Sequence, residues 1–378
     1  KEFQIGLSLE NDRDLAKILL SKFKPEDVLE SGLVKKNEYG YFDLFYNRIM
    51  FPLYDLNGEV VAYSGRIYDR KDNSKYINTR ETPIFKKGEL LYNYHRAKEP
   101  ARQKNQIIVV EGFMAAIRTY INGLPNVVAT MGTAVTNSQA HLIKRLAKDV
   151  IICFDGDEAG AKGTLSFIDE LISLGVNPKV VRLEDGLDPD DYIRQKGKDA
   201  FISKINHPQS SLEFKLSYLK KDKNLENSVD KASYIKEVIA EINKIDDDIL
   251  REITISKVAD EANIDKDFLK SHLTEKPKKE IETKVTQNII KNKYEKAEAA
   301  LVYHMLKSSE VIKMYDRKVT YMPKTEYRLL AREISEFYKK NGYINEADFL
   351  DYIEYDPDIM ETIKKINQNN YSEKYTNE

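Results

Sequence analysis

The sequence predicts an α/β chain, α+β overall, in four parts. These are a mixed N-terminal subdomain, a parallel α/β sheet, a helical bundle and a C-terminal all-α domain. Three observations carry this reading. Short apolar runs alternate with helical periodicity over residues 105–200, the rhythm of strands that return through crossover helices. Upstream, a turn signal at Asn57-Gly58 joins two apolar runs, the strongest short hairpin signal. After residue 210 only helical periodicity is left, broken by a polar stretch near 276–292.

Residues 1–100 read as an α+β subdomain. Ile49–Leu53 and Val60–Tyr63 flank the turn. Residues 101–205 read as the α/β sheet. Ile107–Val110 is apolar throughout, as a strand buried on both faces requires. Val127–Ala129, Val150–Phe154 and Lys179–Leu183 follow as strands. Between them, Met114–Tyr120, Ser138–Leu146 and Ala159–Leu174 carry helical spacing. Residues 206–275 read as a helical subdomain, with helices only over 210–275, among them Ala232–Ile242 and Ile249–Ala262. Residues 276–292, including Lys276-Pro277-Lys278-Lys279, read as a linker. In 293–378, helices are expected at Ala297–Lys307, Thr325–Lys339, Glu346–Tyr355 and Asp358–Ile366, and Asn367–Glu378 is expected to fray. No internal repeat is visible.

Composition excludes several classes. The 378 residues carry 60 Lys+Arg against 62 Asp+Glu, so a uniformly basic nucleic-acid coat is absent, although opposed patches can hide in a balanced total. With Cys153 as the single cysteine, the chain can build neither a disulfide framework nor a multi-cysteine zinc site. That suits a reducing compartment, and burial in its strand suits Cys153 as a small core residue. The five histidines are scattered without ligand spacing. No apolar run reaches the ~18 residues of a membrane span, and no signal-peptide pattern is present. Starting at Lys1, directly in patterned sequence, the chain is expected to be a piece of a longer protein.

The charges are polarised along the chain. From Asp149 to Asp191 there are 11 acidic residues and three basic ones. In an open parallel sheet, ligands gather at the carboxyl ends of the strands. Those ends carry Glu111-Gly112, Asp155-Gly156-Asp157 and Asp185-Gly186-Leu187-Asp188-Pro189-Asp190. Converging carboxylates repel unless a cation sits among them, and oxygen-only donors suit Mg²⁺ or Mn²⁺. A single acid after a strand is better read as a helix N-cap. Glu111, Asp155 and Asp157 together favour a metal site, whereas Asp188 and Asp190 stand near even between the two readings. The glycine-rich run Gly156–Thr164 does not fit a phosphate-binding P-loop, and nothing else in the chain does.

From Arg66 to Lys104 the balance reverses, with 11 basic residues against five acidic ones. Tyr68, Tyr76, Phe85, Tyr92 and Tyr94 are interleaved. Cations with stacking surfaces suit single-stranded nucleic acid or nucleotides; a solvated surface is the bland alternative. Beside a metal cluster the first reading gains, because a polyanion that meets both Mg²⁺ and Lys/Arg is a triphosphate or a nucleic-acid backbone.

Several blocks resemble the RNA-polymerase region of bacterial DnaG-type primases. Val109-Val110-Glu111-Gly112-Phe113-Met114, Met131-Gly132-Thr133-Ala134, Phe154-Asp155-Gly156-Asp157-Glu158-Ala159-Gly160 and Asp188-Pro189-Asp190 resemble a Toprim domain. Upstream, Asn47-Arg48-Ile49-Met50-Phe51-Pro52, Ser64-Gly65-Arg66, Lys75-Tyr76-Ile77-Asn78 and Phe85-Lys86-Lys87-Gly88 resemble that family's basic motifs, in order and spacing. Residues 293–378 are similar in pattern to the start of its helicase-binding domain.

The resemblance implies template-directed synthesis of short RNA primers on single-stranded DNA by two-metal nucleotidyl transfer. Glu111, Asp155 and Asp157 would be catalytic and metal-binding, with Asp188 and Asp190 as further metal ligands. Arg48, Arg66, Lys75, Lys86 and Lys87 would meet nucleotide or DNA. Implied cofactors are two or more Mg²⁺ or Mn²⁺ ions, with zinc only in an N-terminal domain absent here. Implied partners are template, nucleoside triphosphates, RNA primer and the replicative helicase, with guanosine alarmones competing for the triphosphate site and no membrane. The implied location is the cytoplasm, at the replisome. The alternatives are another Toprim enzyme (a topoisomerase or nuclease) and a non-catalytic helicase adaptor.

Overall fold

The computed structural model describes residues 2–68, 74–132, 134–184, 186–273, 293–319, 322–353 and 357–368. The N-terminal part runs β1 (Gly6–Leu7), α1 (Asp14–Leu20), α2 (Pro25–Glu30), β2 (Val34–Asn37), β3 (Gly40–Asp43), β4 (Arg48–Tyr54), β5 (Val60–Ile67) and β6 (Tyr76–Asn78). β1, β4, β5 and β6 form an antiparallel sheet in the order β1-β4-β5-β6. The expected hairpin joins β4 to β5. Its turn closes because the Asp55 carboxylate accepts from the amides of Asn57 and Glu59, each at 2.9 Å. Gly58 supplies the left-handed φ of +90°, which a side chain would resist.

Next come α3 (Tyr94–Lys104), β7 (Gln106–Val110), α4 (Phe113–Ile121), β8 (Val127–Ala129), α5 (Asn137–Leu146), β9 (Asp149–Ile152), α6 (Glu158–Ser173), β10 (Lys179–Val180), α7 (Pro189–Lys196), α8 (Lys198–Asn206) and β11 (Gln209–Ser210). The strands form one sheet in the order β11-β10-β9-β7-β8. Pairing is parallel except at β11, which runs antiparallel to β10. β11 was not among the expected strands; two residues are too few to show a strand period. Alternate residues of β7 feed opposite cores. Ile108 and Val110 join one apolar cluster with Ala116 of α4 and Phe51 of β4. Ile107 and Val109 join another with Ala140 of α5 and Phe167 of α6. Both faces are therefore covered, and the continuous apolar run is explained.

Helices α9 (Ser211–Lys220), α10 (Ser228–Ile242), α11 (Asp248–Ala262) and α12 (Lys266–Ser271) close on a core of their own around Tyr234, Val238, Ile242 and Val258. Their starts are written locally: Ser210, Asn227, Asp247 and Asp265 each cap a first turn through the side chain, worth ~1 kcal/mol apiece. The expected 276–292 linker lies outside the described residues. Beyond it, α13 (Lys293–Met305), α14 (Ser309–Lys318), α15 (Thr325–Asn341), α16 (Glu346–Tyr352) and α17 (Pro357–Asn367) surround Val302, Ile312, Leu330, Ile334 and Phe349. α14 was not among the expected helices. α15 also reaches the α/β sheet, where Leu329 joins the α5–α6 cluster. Among the described residues no helix is long and apolar enough to cross a membrane.

Candidate active site

The carboxyl ends of β7 and β9 carry the first three acids. Glu111 follows β7 directly. Its carbonyl accepts from the amide of Met131 at 2.8 Å, and Met131 adopts φ +61°, a conformation that costs a non-glycine residue roughly 1–2 kcal/mol. Asp155 stands three residues past β9. Gly156 follows and donates to the carbonyl of Leu187 at 2.8 Å, while Gly186 donates back to Gly156 at 3.2 Å. A Cβ on Gly156 would lie 2.3 Å from the Glu184 carbonyl oxygen. Gly160 has the same tightness, since its Cβ would lie 2.2 Å from the Asp155 carbonyl oxygen. Gly156 thus lets the loops after β9 and β10 touch through their backbones, bringing Asp155 within electrostatic reach of Asp188, while Gly160 lets α6 start tightly against the Asp155 backbone.

Asp157 and Asp188 do cap helices. Asp157 accepts from Gly160 of α6 and Asp188 from Asp191 of α7, each at 2.7 Å. Capping uses one oxygen and leaves the rest of the carboxylate for the cluster. Burial, then the charge of Asp157, raises the Glu111 carboxyl. Burial, then Glu111, Asp188 and Asp157, pushes Asp155 up to about 7. Asp188, Asp190 and Asp191 each offer an oxygen within 4.8 Å of the others. Asp190 is also paired to Arg118 of α4 at 2.5 Å, and Asp191 to Arg194. Asp185 lies outside the described residues.

The basic residues separate into groups. Arg48 is buried, and its Nη1 donates to the carbonyls of Gly65 at 3.2 Å and Ser74 at 3.3 Å, so it braces β4, β5 and the chain entering β6. Arg66 lies over the Tyr76 ring, 5.5 Å from its centroid, and Asp188 and Asp190 act electrostatically on that tyrosine. Lys75 and Lys86 are exposed and Lys87 is half-buried; Lys86 lies 3.7 Å from Glu81. Arg70 and Lys71 lie outside the described residues. Of the five interleaved aromatics, Phe85, Tyr92 and Tyr94 are core residues, which corrects their reading as stacking surface. Phe85 and Tyr92 are buried where the N-terminal sheet packs onto the parallel sheet, and Tyr94 where α3 and α5 cover the opposite face, contacts without local signature. Sequence reasoning also missed Phe113, which packs against Phe51, Tyr76 and Tyr92 and joins the basic subdomain to the strand edge just beyond Glu111. The apolar residue directly after Glu-Gly was its available signal. Arg118 was missed too, because its Asp190 partner is 72 residues away.

A parallel sheet with Glu111 after one strand and Asp155-Gly156-Asp157 after its neighbour defines a Toprim-type protein, and a family model described as Toprim-like matches residues 108–193. Residues 1–98 match the N-terminal domain of the DNA primase catalytic core, and residues 212–267 the DnaB-helicase binding domain of primase. That last match lies on α9–α12, upstream of 293–378, where the sequence reading put helicase binding. The chain is 33% identical over 359 residues to the DNA primase of Geobacillus stearothermophilus, covering 92% of this chain and 59% of that protein. It thus spans less than two thirds of that relative's length. The Aquifex aeolicus primase structure, with zinc-binding and RNA-polymerase domains, is 31% identical at a TM-score of 0.58, covering 72% of this chain and 66% of that one. A DnaG primase catalytic domain bound to single-stranded DNA is 27% identical at a TM-score of 0.59, covering 70% and 85%. The chain belongs to the family of bacterial DnaG-type DNA primases. The comparisons favour neither the topoisomerase or nuclease reading nor the adaptor reading.

Proposed function

We propose that this chain is the RNA-polymerase core of a primase, joining ribonucleotides into short primers on a single-stranded DNA template. The observation that carries the reading is the acidic edge, where burial and neighbouring carboxylates push Asp155 up to about 7. Such a cluster fits hard divalent cations, with oxygen donors from Glu111, Asp155 and Asp157 and further oxygens from Asp188 and Asp190. Mg²⁺ or Mn²⁺ ions, when bound, would lower the pKa of the primer 3′-hydroxyl and stabilise the leaving pyrophosphate.

The other residues bind and orient. Arg66, Lys75, Lys86 and Lys87 neutralise triphosphate and template phosphates, while Arg48 braces the strands that carry Arg66. Base choice comes from pairing with the template. Guanosine alarmones, with the same charge pattern, would compete for the triphosphate site. A helicase partner is supported by the match on residues 212–267, and the reading places the chain in the cytoplasm at the replisome. The test is incubation with template, labelled ribonucleotides and Mg²⁺ or Mn²⁺, with or without a zinc ribbon supplied in trans. Metal-dependent short RNA is expected. Its absence even with the ribbon would sink the proposal.

Gly156→Ala is expected to lower primer synthesis at least tenfold. The added Cβ collides with the Glu184 carbonyl and forces the two acidic loops apart, at a stability cost of about 1–3 kcal/mol. Denaturant unfolding and the primer assay check both halves.

A further inference from the structure

α15 meets the catalytic core through a row of charges. Arg328, Arg332 and Glu336 recur at four-residue spacing, as do Leu329 and Glu333, so they share one side of the helix. Glu333 pairs with Arg145 of α5, and Lys98 of α3 lies 3.9 Å from Glu333 and 2.5 Å from Glu336. At the other end of the row, Arg328 reaches Glu89 at 3.7 Å and Ser138 at 3.3 Å, and Arg332 reaches Glu89 at 3.9 Å.

Glu89 ends a short 3-10 turn, Lys87–Glu89, which carries Lys87 and adjoins Lys86. On one side the turn is tied to α5. Thr136 donates to the Gly88 carbonyl, and the buried Gln139 amide donates to Leu90 at 2.8 Å and Thr130 at 3.1 Å. Thr130 directly precedes Met131, whose amide holds the Glu111 carbonyl. On its other side the turn faces a cleft of about 600 Å³, with Lys86 and Glu89 on one wall and Arg332 and Lys339 on the other. There the arginines of α15 brace it. Glu89 retains 18% side-chain exposure and Arg328 6%, so that pair is only weakly screened, while Arg332 is the more exposed partner at 39%.

We propose that Arg328 and Arg332 are positioning residues that act through Glu89 to hold the Lys86–Lys87 turn, so that the docked C-terminal helices set the core's affinity for nucleoside triphosphates. The proposal rests on the polymerase reading and on Lys86 and Lys87 as phosphate ligands. It connects an all-α domain to the substrate site by a route that no single motif carries.

The test uses the full chain with Glu89→Gln, Arg332→Gln and the double variant. ATP affinity is measured by equilibrium binding with Mg²⁺, and KM and kcat by primer synthesis. Glu89→Gln is expected to raise Kd and KM about three- to tenfold with kcat within twofold, and the double variant to match it, because the contact that Arg332→Gln removes is already lost with the Glu89 carboxylate. A merely structural loss would lower kcat through the active fraction and leave KM alone. Unchanged Kd and KM in both single variants would overturn the proposal, as would additive losses. Should Glu89→Gln fail to fold, the more exposed Arg332→Gln decides alone. A wild-type chain that binds ATP but makes no RNA sinks the polymerase reading while the Kd comparison still judges this one. A chain that does neither overturns both.

Discussion

Asp155→Asn should abolish primer synthesis and at the same time make the metal-free protein more stable. The activity loss is expected to be about 10³-fold, roughly 4 kcal/mol of transition-state stabilisation. The stability gain follows from linkage. Folding raises the Asp155 carboxyl from 3.8 to about 7, so the folded state holds its proton more tightly than the unfolded chain. That favourable contribution is complete below about pH 4 and is lost as pH rises through 7. Above pH 7 the metal-free wild type keeps a buried negative charge among like charges, and the amide removes it. Discounted for partial contact with water, the gain is ~1–2 kcal/mol, or a few degrees in Tm. It should vanish at pH 4. Added Mg²⁺ should raise the Tm of the wild type more than that of the variant, which keeps the other carboxylates but lacks Asp155. Thermal melts in chelator and in Mg²⁺ at both pH values check this; a variant less stable than wild type at pH 8 without metal would contradict it.

The second large effect is expected at Arg145→Ala. Glu333 is 2% exposed and Arg145 6%. Burial alone would raise the Glu333 carboxyl, but Arg145 and Lys98 hold it below the usual carboxylate value. Removing Arg145 leaves a buried carboxylate that keeps only Lys98, 3.9 Å away, and the more diffuse field of Arg102 among the cations that act on it. The cost is about 3–5 kcal/mol, read by urea unfolding. Arg145→Met combined with Glu333→Leu should cost far less, since exchanging a buried pair for packed apolar groups is often neutral or stabilising. Because Glu333 is held low, its contribution is present at neutral pH and fades on acidification through that lowered value. The contact of α15 with the sheet should therefore loosen in acid, which hydrogen exchange on residues 325–341 would report.

Local and repeated signals were legible. β8 coincides with Val127–Ala129, and α5 and α6 begin one residue before their expected starts, because apolar period and capping residues act within a few positions. The acids were legible for a related reason. In a parallel sheet the residue after a strand must emerge at the carboxyl edge, so Glu111 and Asp155 could be assigned to one edge from the strands' common direction alone. Cys153 is buried as expected, although β9 ends one residue before it at Ile152. The basic residues were less legible. A charged type in a favourable motif does not say which way its side chain turns, and Arg48 turns inward to backbone carbonyls while Lys75 stays in water.

By itself, then, the sequence determined the alternation that builds the sheet, the carboxylates at its edge, the helix starts and the family. These depend on residues close together in the chain or on a strand's direction. Tertiary structure alone decided which surfaces meet. The antiparallel β11, the Phe113 contact with the N-terminal sheet, the Arg118–Asp190 pair and the charged seam of α15 all join residues far apart in sequence. Each is selected by shape and by the cost of leaving a buried charge or apolar face unpartnered, and that cost exists only once the chain has folded.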